Sequence, residues 1–135
     1  MRVIRTATIA AAAVAAAAAA SVGAAAPATA QQTASLRLEV AEWAVVPSAG
    51  LLPAGRVRVT VANLGVLRHE LLIVRTRRWG DPPRRDRRDA VGEPLLVRPG
   101  ATAAETVTLS PGSYLAYDDL PAHAAARAAV AFSVR

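Results

Sequence analysis

Two histidines and a pair of aspartates are the residues of this sequence best suited to bind a metal ion. His69 lies within an apolar run, whereas Asp118 and Asp119 end a second apolar run and are followed by a Leu-Pro turn and His123. Imidazole nitrogen and carboxylate oxygen suit Cu(II) first and Zn(II) second, provided that the side chains converge. His69, Asp118 and His123 are therefore the candidate metal ligands.

Each of these residues also has an ordinary structural role. A histidine on the inward face of a strand is commonly a hydrogen-bonded core residue. An aspartate before a Leu-Pro turn commonly accepts hydrogen bonds from nearby amides, and a histidine in a loop is commonly a surface residue. Asp119 is not expected to add a ligand, because adjacent strand residues point to opposite faces. A metal site and a metal-free arrangement are both open at this point.

The absence of cysteine is the most informative negative feature of the sequence. It excludes disulfides, thiolate nucleophiles, soft-metal thiolate sites and lipid attachment through a cysteine. Asp118 with His123 would make an acid–base pair, but the sequence offers no nucleophile or oxyanion site beside them. We therefore do not expect an enzyme.

Residues 1–30 are predicted to be a signal peptide, and residues 31–135 to form one domain. Arg2 and Arg5 precede an alanine-rich apolar run at 9–26, and a small-x-small cleavage pattern ends at Ala30. An uncleaved membrane anchor is the alternative, but no stop-transfer flank follows. We expect a periplasmic or secreted protein that has no integral membrane segment after cleavage.

Hydrophobic alternation predicts six to eight short strands and no amphipathic helix. The clearest segments are 36–40, 56–60, 67–74, 105–109, 114–118 and 130–134. Pro/Gly turns separate them, which is typical of an all-β, antiparallel β-sandwich. By strand parity His69 shares a face with Leu67, Leu71 and Ile73, so its side chain is expected to point inward.

A long arginine-rich loop interrupts this pattern at residues 77–94. Residues 75–89 contain seven arginines against three aspartates in a chain of net charge +6. An anionic partner, such as lipid headgroups or an acidic protein face, is expected to bind Arg84, Arg85, Arg87 and Arg88. The alternative is a solvated insertion that follows the arginine bias of a lysine-free chain. Nucleic acid is not expected, because no basic stripe lies on a regular element.

The chain contains Asn63-x-Gly65-x-x-x-His69, a Pro-Gly turn before Tyr114, Tyr-x-x-Tyr-x-x-x-Pro-x-His ending at His123, and the segments Glu42-Trp43 and Pro53-Ala-Gly55-x-Val. These motifs resemble those of the cupredoxin family over nearly all of residues 31–135. The resemblance implies a Greek-key β-sandwich that holds one copper ion at its end. Two histidines, a cysteine and usually a methionine are the ligands in that family.

Carried over to this chain, the family's two histidines fall on His69 and His123, and its cysteine falls on Asp118. The methionine position falls near Ala128, and the glycine that usually precedes the second histidine is Ala122. A blue-copper site requires the copper–thiolate bond, so it cannot form here. We expect an exported cupredoxin-like domain that acts as a metal-free binding or interaction module. The alternative is a Cu(II)-binding protein for scavenging or delivery.

Overall fold

A computed structural model of the chain describes residues 30–77, 87–120 and 128–135. All of the predicted signal peptide except Ala30 lies outside these residues, so the boundary between the signal peptide and the domain stays a prediction. Within the described residues, no helix is long and apolar enough to cross a membrane.

Nine strands and one 3-10 turn make up the described part of the chain. The strands are β1 (Ala34–Ala41), β2 (Ala44–Pro47), β3 (Leu51–Leu52), β4 (Gly55–Asn63), β5 (His69–Thr76), β6 (Leu95–Val97), β7 (Thr102–Leu109), β8 (Gly112–Asp118) and β9 (Ala129–Val134). The 3-10 turn at Arg87–Asp89 precedes a bridge between Ala90 and Val74. Within the segment predicted as a loop at 77–94, the chain therefore pairs with β5 again at residue 90.

The strands form two sheets, ordered β2-β1-β4-β7 and β3-β9-β8-β5-β6. This confirms the predicted all-β sandwich, with two differences. There are nine described strands instead of six to eight, because β2, β3 and β6 are too short for alternation to reveal them. The sheets are also mixed, since β1 pairs parallel with β4 and β3 pairs parallel with β9. Hydrophobic alternation along a strand shows which of its faces is buried, but the pattern is the same whether the neighbouring strand is parallel or antiparallel.

The main core lies between the two sheets. Leu36, Leu38 and Val40 of β1 and Val57, Val59 and Val61 of β4 are completely buried, as their alternation predicted. From the other sheet, Phe132 stacks on Tyr114 with ring centroids 5.5 Å apart and planes 14° from parallel. Phe132 is itself completely buried and fills the interior from β9.

A smaller apolar cluster lies on the opposite face of β5 and β8. It contains Leu72, Val74, Leu115 and Tyr117, with Ala90, Ala129 and Ala131 packed against it. Residues 71–74 of β5 are therefore buried on both faces, which explains why this part of the strand is apolar at every position.

The sandwich has two ends that carry different side chains. The distal end is formed by residues 41–44, 63–69, 98–102 and 118–120, and the proximal end by residues 52–56, 75–77, 109–112 and 134–135, as the strand pairing requires. Two of the predicted metal ligands, His69 and Asp118, lie at the distal end.

Candidate functional site

A buried histidine–aspartate pair lies at the distal end. His69 is the first residue of β5 and Asp118 the last of β8, and the pairing of these strands places Leu71 opposite Asp118. The Nδ1 atom of His69 lies 2.6 Å from Oδ2 of Asp118, and neither side chain is exposed to solvent. The structure therefore brings two of the three predicted ligands into direct contact.

The second carboxylate oxygen of Asp118 stabilises the loop that follows β8. Oδ1 accepts hydrogen bonds from the backbone N–H of Leu120 at 3.1 Å and of Glu70 at 3.3 Å. The backbone N–H of Asp118 donates to the carbonyl of Ala128. Asp118 thus makes the amide contacts expected of an aspartate before a Leu-Pro turn and binds His69 as well.

The separation within the pair is that of a hydrogen bond. Two ligand atoms bound at about 2.0 Å to one tetrahedral ion lie about 3.3 Å apart. The 2.6 Å between His69 and Asp118 is shorter, so an ion bound by both must displace the shared proton and widen the gap. In their present arrangement the two side chains fit a hydrogen-bonded pair better than a pair of metal ligands.

The third predicted ligand, His123, lies outside the described residues, as does Ala122. In the ranges that the structure describes, no group of three or more histidine, aspartate or glutamate side chains is placed to hold a metal ion. Ala128, at the family's methionine position, is buried in the main core. The three-residue metal site stays a prediction.

Asn63 determines the path of the chain into His69. Its Nδ2 donates to the carbonyl of Leu67 at 2.7 Å and to that of Val97 at 3.0 Å, and its Oδ1 accepts from the N–H of Gly65 at 2.9 Å. The side chain is almost completely buried, so these contacts satisfy an amide that water cannot reach. Asn63 therefore positions the segment 64–68 that precedes His69.

Glu42 holds the same segment from the opposite side, and sequence analysis did not identify it as a site residue. Its Oε1 accepts hydrogen bonds from the N–H of Val66 at 2.5 Å and of Leu67 at 3.0 Å. A Cβ atom on Gly65 would collide with this carboxylate, so glycine permits the close approach. The only signal in the sequence was Glu42-Trp43 as part of the family resemblance.

Glu42→Gln is expected to loosen this segment and to remove part of the acid sensitivity of the fold. Hydrogen bonds from its own backbone N–H, then from those of Val66 and Leu67, lower the pKa of Glu42. The folded state binds this proton less readily than the unfolded state, whose pKa is about 4.3. The stabilisation is therefore complete above that value and is lost as pH falls through the folded-state pKa.

The measurement is the melting temperature between pH 6 and pH 3, for the wild type and Glu42→Gln. The difference between the two should shrink as the medium becomes acidic. Glu39→Gln is the matched control, because Glu39 forms an exposed surface ion pair with Arg37. A constant difference across the whole range would contradict the expected role of Glu42.

Four large apolar side chains are exposed beside the His69–Asp118 pair. The exposed fractions are 70% for Trp43, 66% for Leu64, 80% for Val66 and 46% for Leu67. We call these four residues the distal apolar patch. Leu67 was predicted to point inward with His69, which is wrong because β5 begins only at His69. Large exposed apolar side chains gathered at one end of a domain often mark an interaction site.

The patch is one surface because its two loops are joined. Trp43 lies in the turn between β1 and β2, and the other three residues lie between β4 and β5. Besides the Glu42 contacts, the N–H of Leu64 donates to the carbonyl of Val40 at 2.8 Å. Strand parity could not predict this surface, because it is built from two turns.

The predicted partner residues of the arginine-rich loop are only partly described. Arg84 and Arg85 lie outside the described residues. Arg87 begins the 3-10 turn, and Arg88 within it is exposed. Binding of an anionic partner by these four arginines stays a prediction.

Two packed sheets with a histidine and an aspartate at the ends of adjacent strands define the chain as a cupredoxin-like β-sandwich. Solved structures share this fold. A dithionite-reduced auracyanin from the photosynthetic bacterium Roseiflexus castenholzii superposes with a TM-score of 0.60 at 21% identity, covering 76% of this chain and 98% of that one. Auracyanin A, a blue copper protein from Chloroflexus aurantiacus, gives 0.54 at 15%, covering 75% and 99%.

The fold is also found within a larger protein. The McoA multicopper oxidase from Aquifex aeolicus gives a TM-score of 0.54 at 14% identity, covering 82% of this chain but 31% of the oxidase. No protein-family model and no curated protein matches the sequence. The comparisons thus confirm the predicted resemblance to cupredoxins at the level of the fold.

Proposed function

We propose that this chain is an exported, non-enzymatic interaction module that binds a protein partner through the distal apolar patch and holds no metal. The observation that carries the proposal is the patch itself, four exposed apolar side chains on two joined loops. In the cupredoxin family the corresponding end of the sandwich holds copper, whereas here a hydrogen-bonded pair occupies two of the ligand positions.

The chemistry of the pair supports the metal-free part of the proposal. With no cysteine in the chain, the thiolate of a blue-copper site cannot be supplied. Asp118 offers one oxygen to His69 and the other to two backbone amides, so its carboxylate already has partners within the protein. A metal ion would have to compete with these contacts.

The arrangement of the patch supports the protein-binding part. Glu42 and Asn63 hold the segment 64–68 by hydrogen bonds from both sides, so little conformational entropy is lost when a partner binds. Trp43 is the residue type most enriched among the side chains that dominate protein–protein affinity. Its exposure in a metal-free sandwich is explained if a partner covers it.

Binding can be tested with two variants that remove equal numbers of exposed apolar side chains. Trp43→Ser/Val66→Ser removes the centre of the distal apolar patch, and Val46→Ser/Leu51→Ser removes exposed residues elsewhere. Proteins captured from the native cell envelope by both the wild type and the control variant are the candidate partners. Titration calorimetry with the purified partner should then show a loss of about thirtyfold or more in affinity for the patch variant. Equal affinities would refute the proposal.

Cu(II) binding for scavenging or delivery is a second candidate, favoured by the direct contact of His69 and Asp118 at the distal end. It requires His123 as the further ligand. Cu(II) titration followed by electron paramagnetic resonance tests it with His69→Ala and His123→Ala as controls. A stoichiometric signal lost in both variants would establish the site. A spectrum that neither variant changes would exclude it.

A further inference from the structure

The exposed arginines in the proximal half of the sandwich include four that lie on β4 and at the end of β5. Arg56 and Arg58 lie on the solvent-facing side of β4, and Arg75 and Arg77 lie at the end of β5. The guanidinium of Arg75 donates to the carbonyl of Pro111 at 2.7 Å, which holds its charge over the turn between β7 and β8. These four arginines form what we call the proximal cationic end.

The acidic residues of the described structure are concentrated elsewhere. Glu39, Glu42, Glu70, Asp118 and Asp119 belong to the distal half, and Glu93 and Glu105 lie beside the middle of β4 and β7. Among the residues that the structure describes, only Asp89, next to the bridge between Ala90 and Val74, brings an aspartate into the proximal half, and Arg88 precedes it. In the described domain, positive charge is therefore concentrated towards the proximal end and negative charge towards the distal end.

The chain enters the sandwich at the same end. Ala34, the first residue of β1, pairs with Val57, and a Cβ on Gly55 would lie 3.3 Å from the Nε2 of Gln31. The apolar run at 9–26, predicted to occupy a membrane at least during export, joins the domain here. The connecting residues 27–33 reach at most about 25 Å when fully extended. Before cleavage, a bilayer that holds the apolar run therefore lies close to the proximal cationic end.

We infer that the proximal cationic end binds the headgroup layer of an anionic phospholipid membrane. Guanidinium groups form charge-assisted hydrogen bonds with phosphate oxygens, and several at one end attract a surface of negative potential. Binding in this orientation directs the distal end away from the bilayer. The inference stands independently of a partner at the distal apolar patch.

The expected contribution of each arginine is measurable. A basic residue near an anionic bilayer strengthens binding about fivefold, and the effect falls off within a Debye length of about 8 Å at physiological salt. Arg56→Gln/Arg58→Gln should therefore weaken the anionic-lipid contribution about 25-fold. Arg68→Gln/Arg98→Gln removes the same charge from exposed positions at the distal end and should change the anionic-lipid contribution little.

The absence of cysteine allows one reporter dye per molecule. The full chain carries the dye at Ala54→Cys, exposed at the proximal end, or at Ala101→Cys, exposed at the distal end. Vesicles contain phosphatidylcholine with or without phosphatidylglycerol, and a lipid with a nitroxide headgroup quenches a dye that lies at the surface. The N-terminal segment is identical in all variants, so differences among them report the domain alone.

The expected result is quenching of the Ala54→Cys dye that increases with phosphatidylglycerol, together with an unquenched Ala101→Cys dye. For Arg56→Gln/Arg58→Gln, the phosphatidylglycerol needed for half-maximal quenching should rise about 25-fold, while Arg68→Gln/Arg98→Gln matches the wild type. Melting temperatures verify that each variant is folded. Equal quenching of the two dyes, or quenching independent of phosphatidylglycerol, overturns the inference. Loss of quenching only when Arg84, Arg85, Arg87 and Arg88 are neutralised overturns it as well and assigns the binding to the arginine-rich loop.

Discussion

Asp118→Ala will lower the free energy of unfolding by about 3–5 kcal/mol, because it leaves three donors without their acceptor and each unsatisfied donor costs about 1–3 kcal/mol. The substitution leaves the His69 ring buried without the acceptor that lies 2.6 Å from Nδ1. It also removes the acceptor of the Leu120 and Glu70 amides, so the loop after β8 loses its attachment. Because domains are stable by only about 5–15 kcal/mol, this is a large share of the total.

Two further variants separate the histidine contact from the amide contacts. Asp118→Asn keeps the shape but has one acceptor oxygen where the carboxylate has two, so either His69 or the two amides lose their partner. We expect a smaller loss of about 1–3 kcal/mol. A double-mutant cycle with His69→Ala should show a coupling of about 0.5–3 kcal/mol between the two side chains.

Urea unfolding at neutral pH measures all of these variants. A loss below about 1 kcal/mol for Asp118→Ala, within the range of ordinary hydrogen bonds, would mean that the pair adds little to stability. Repeating the urea unfolding in the presence of Cu(II) tests whether the folded protein binds the ion. Stabilisation of the wild type but not of His123→Ala by Cu(II) would favour the copper-binding candidate over the metal-free module.

Phe132→Ala will cost about 3–5 kcal/mol of unfolding free energy, as large-to-small changes of buried aromatic residues generally do. Phe132 is completely buried and stacks on Tyr114 across 5.5 Å between ring centroids. Alanine removes both the ring's burial and the stacking, and the surrounding strands cannot collapse into the space because their hydrogen bonds fix their spacing.

The matched controls are Phe132→Leu and Leu96→Ala. Leucine keeps most of the apolar volume, so its loss should be clearly smaller than that of alanine. Leu96 is 53% exposed on β6, and its truncation should change stability by about 0.5 kcal/mol or less. If calorimetry gave Phe132→Ala and Leu96→Ala the same melting temperature, the packing of β9 against the other sheet would be wrong.

Strand β4 illustrates what alternation predicts well. Val57, Val59 and Val61 were predicted inward, and all three are completely buried, because a strand with one buried face must place its apolar residues two apart. The same rule correctly placed His69 among inward side chains. It failed at Leu67, which lies before the strand begins and so does not follow strand parity.

The distal apolar patch and the Glu42 contacts could not be predicted in this way. Glu42 and Val66 are 24 residues apart, and their loops meet only because β1 and β4 pair in parallel. A parallel partner is chosen by long-range packing of the whole sandwich, which a local pattern does not record. Turn residues also carry no periodicity, so the exposure of Trp43 and Val66 had no local signal.

The chemistry open to the protein follows from its composition, because a chain without cysteine cannot form a copper–thiolate bond in any conformation. The residue types and spacing were also enough to recognise the sandwich and to select His69 and Asp118 as candidate metal ligands, which stays a prediction. The contact between these two residues, in contrast, could not be predicted from the sequence. The two residues are 49 positions apart, and only the pairing of β5 with β8 brings Nδ1 and Oδ2 to 2.6 Å in a place that water cannot reach. The packing of the sheets determines how deeply the two side chains are buried and how far apart they lie. Both make this pair a hydrogen bond that solvent does not reach.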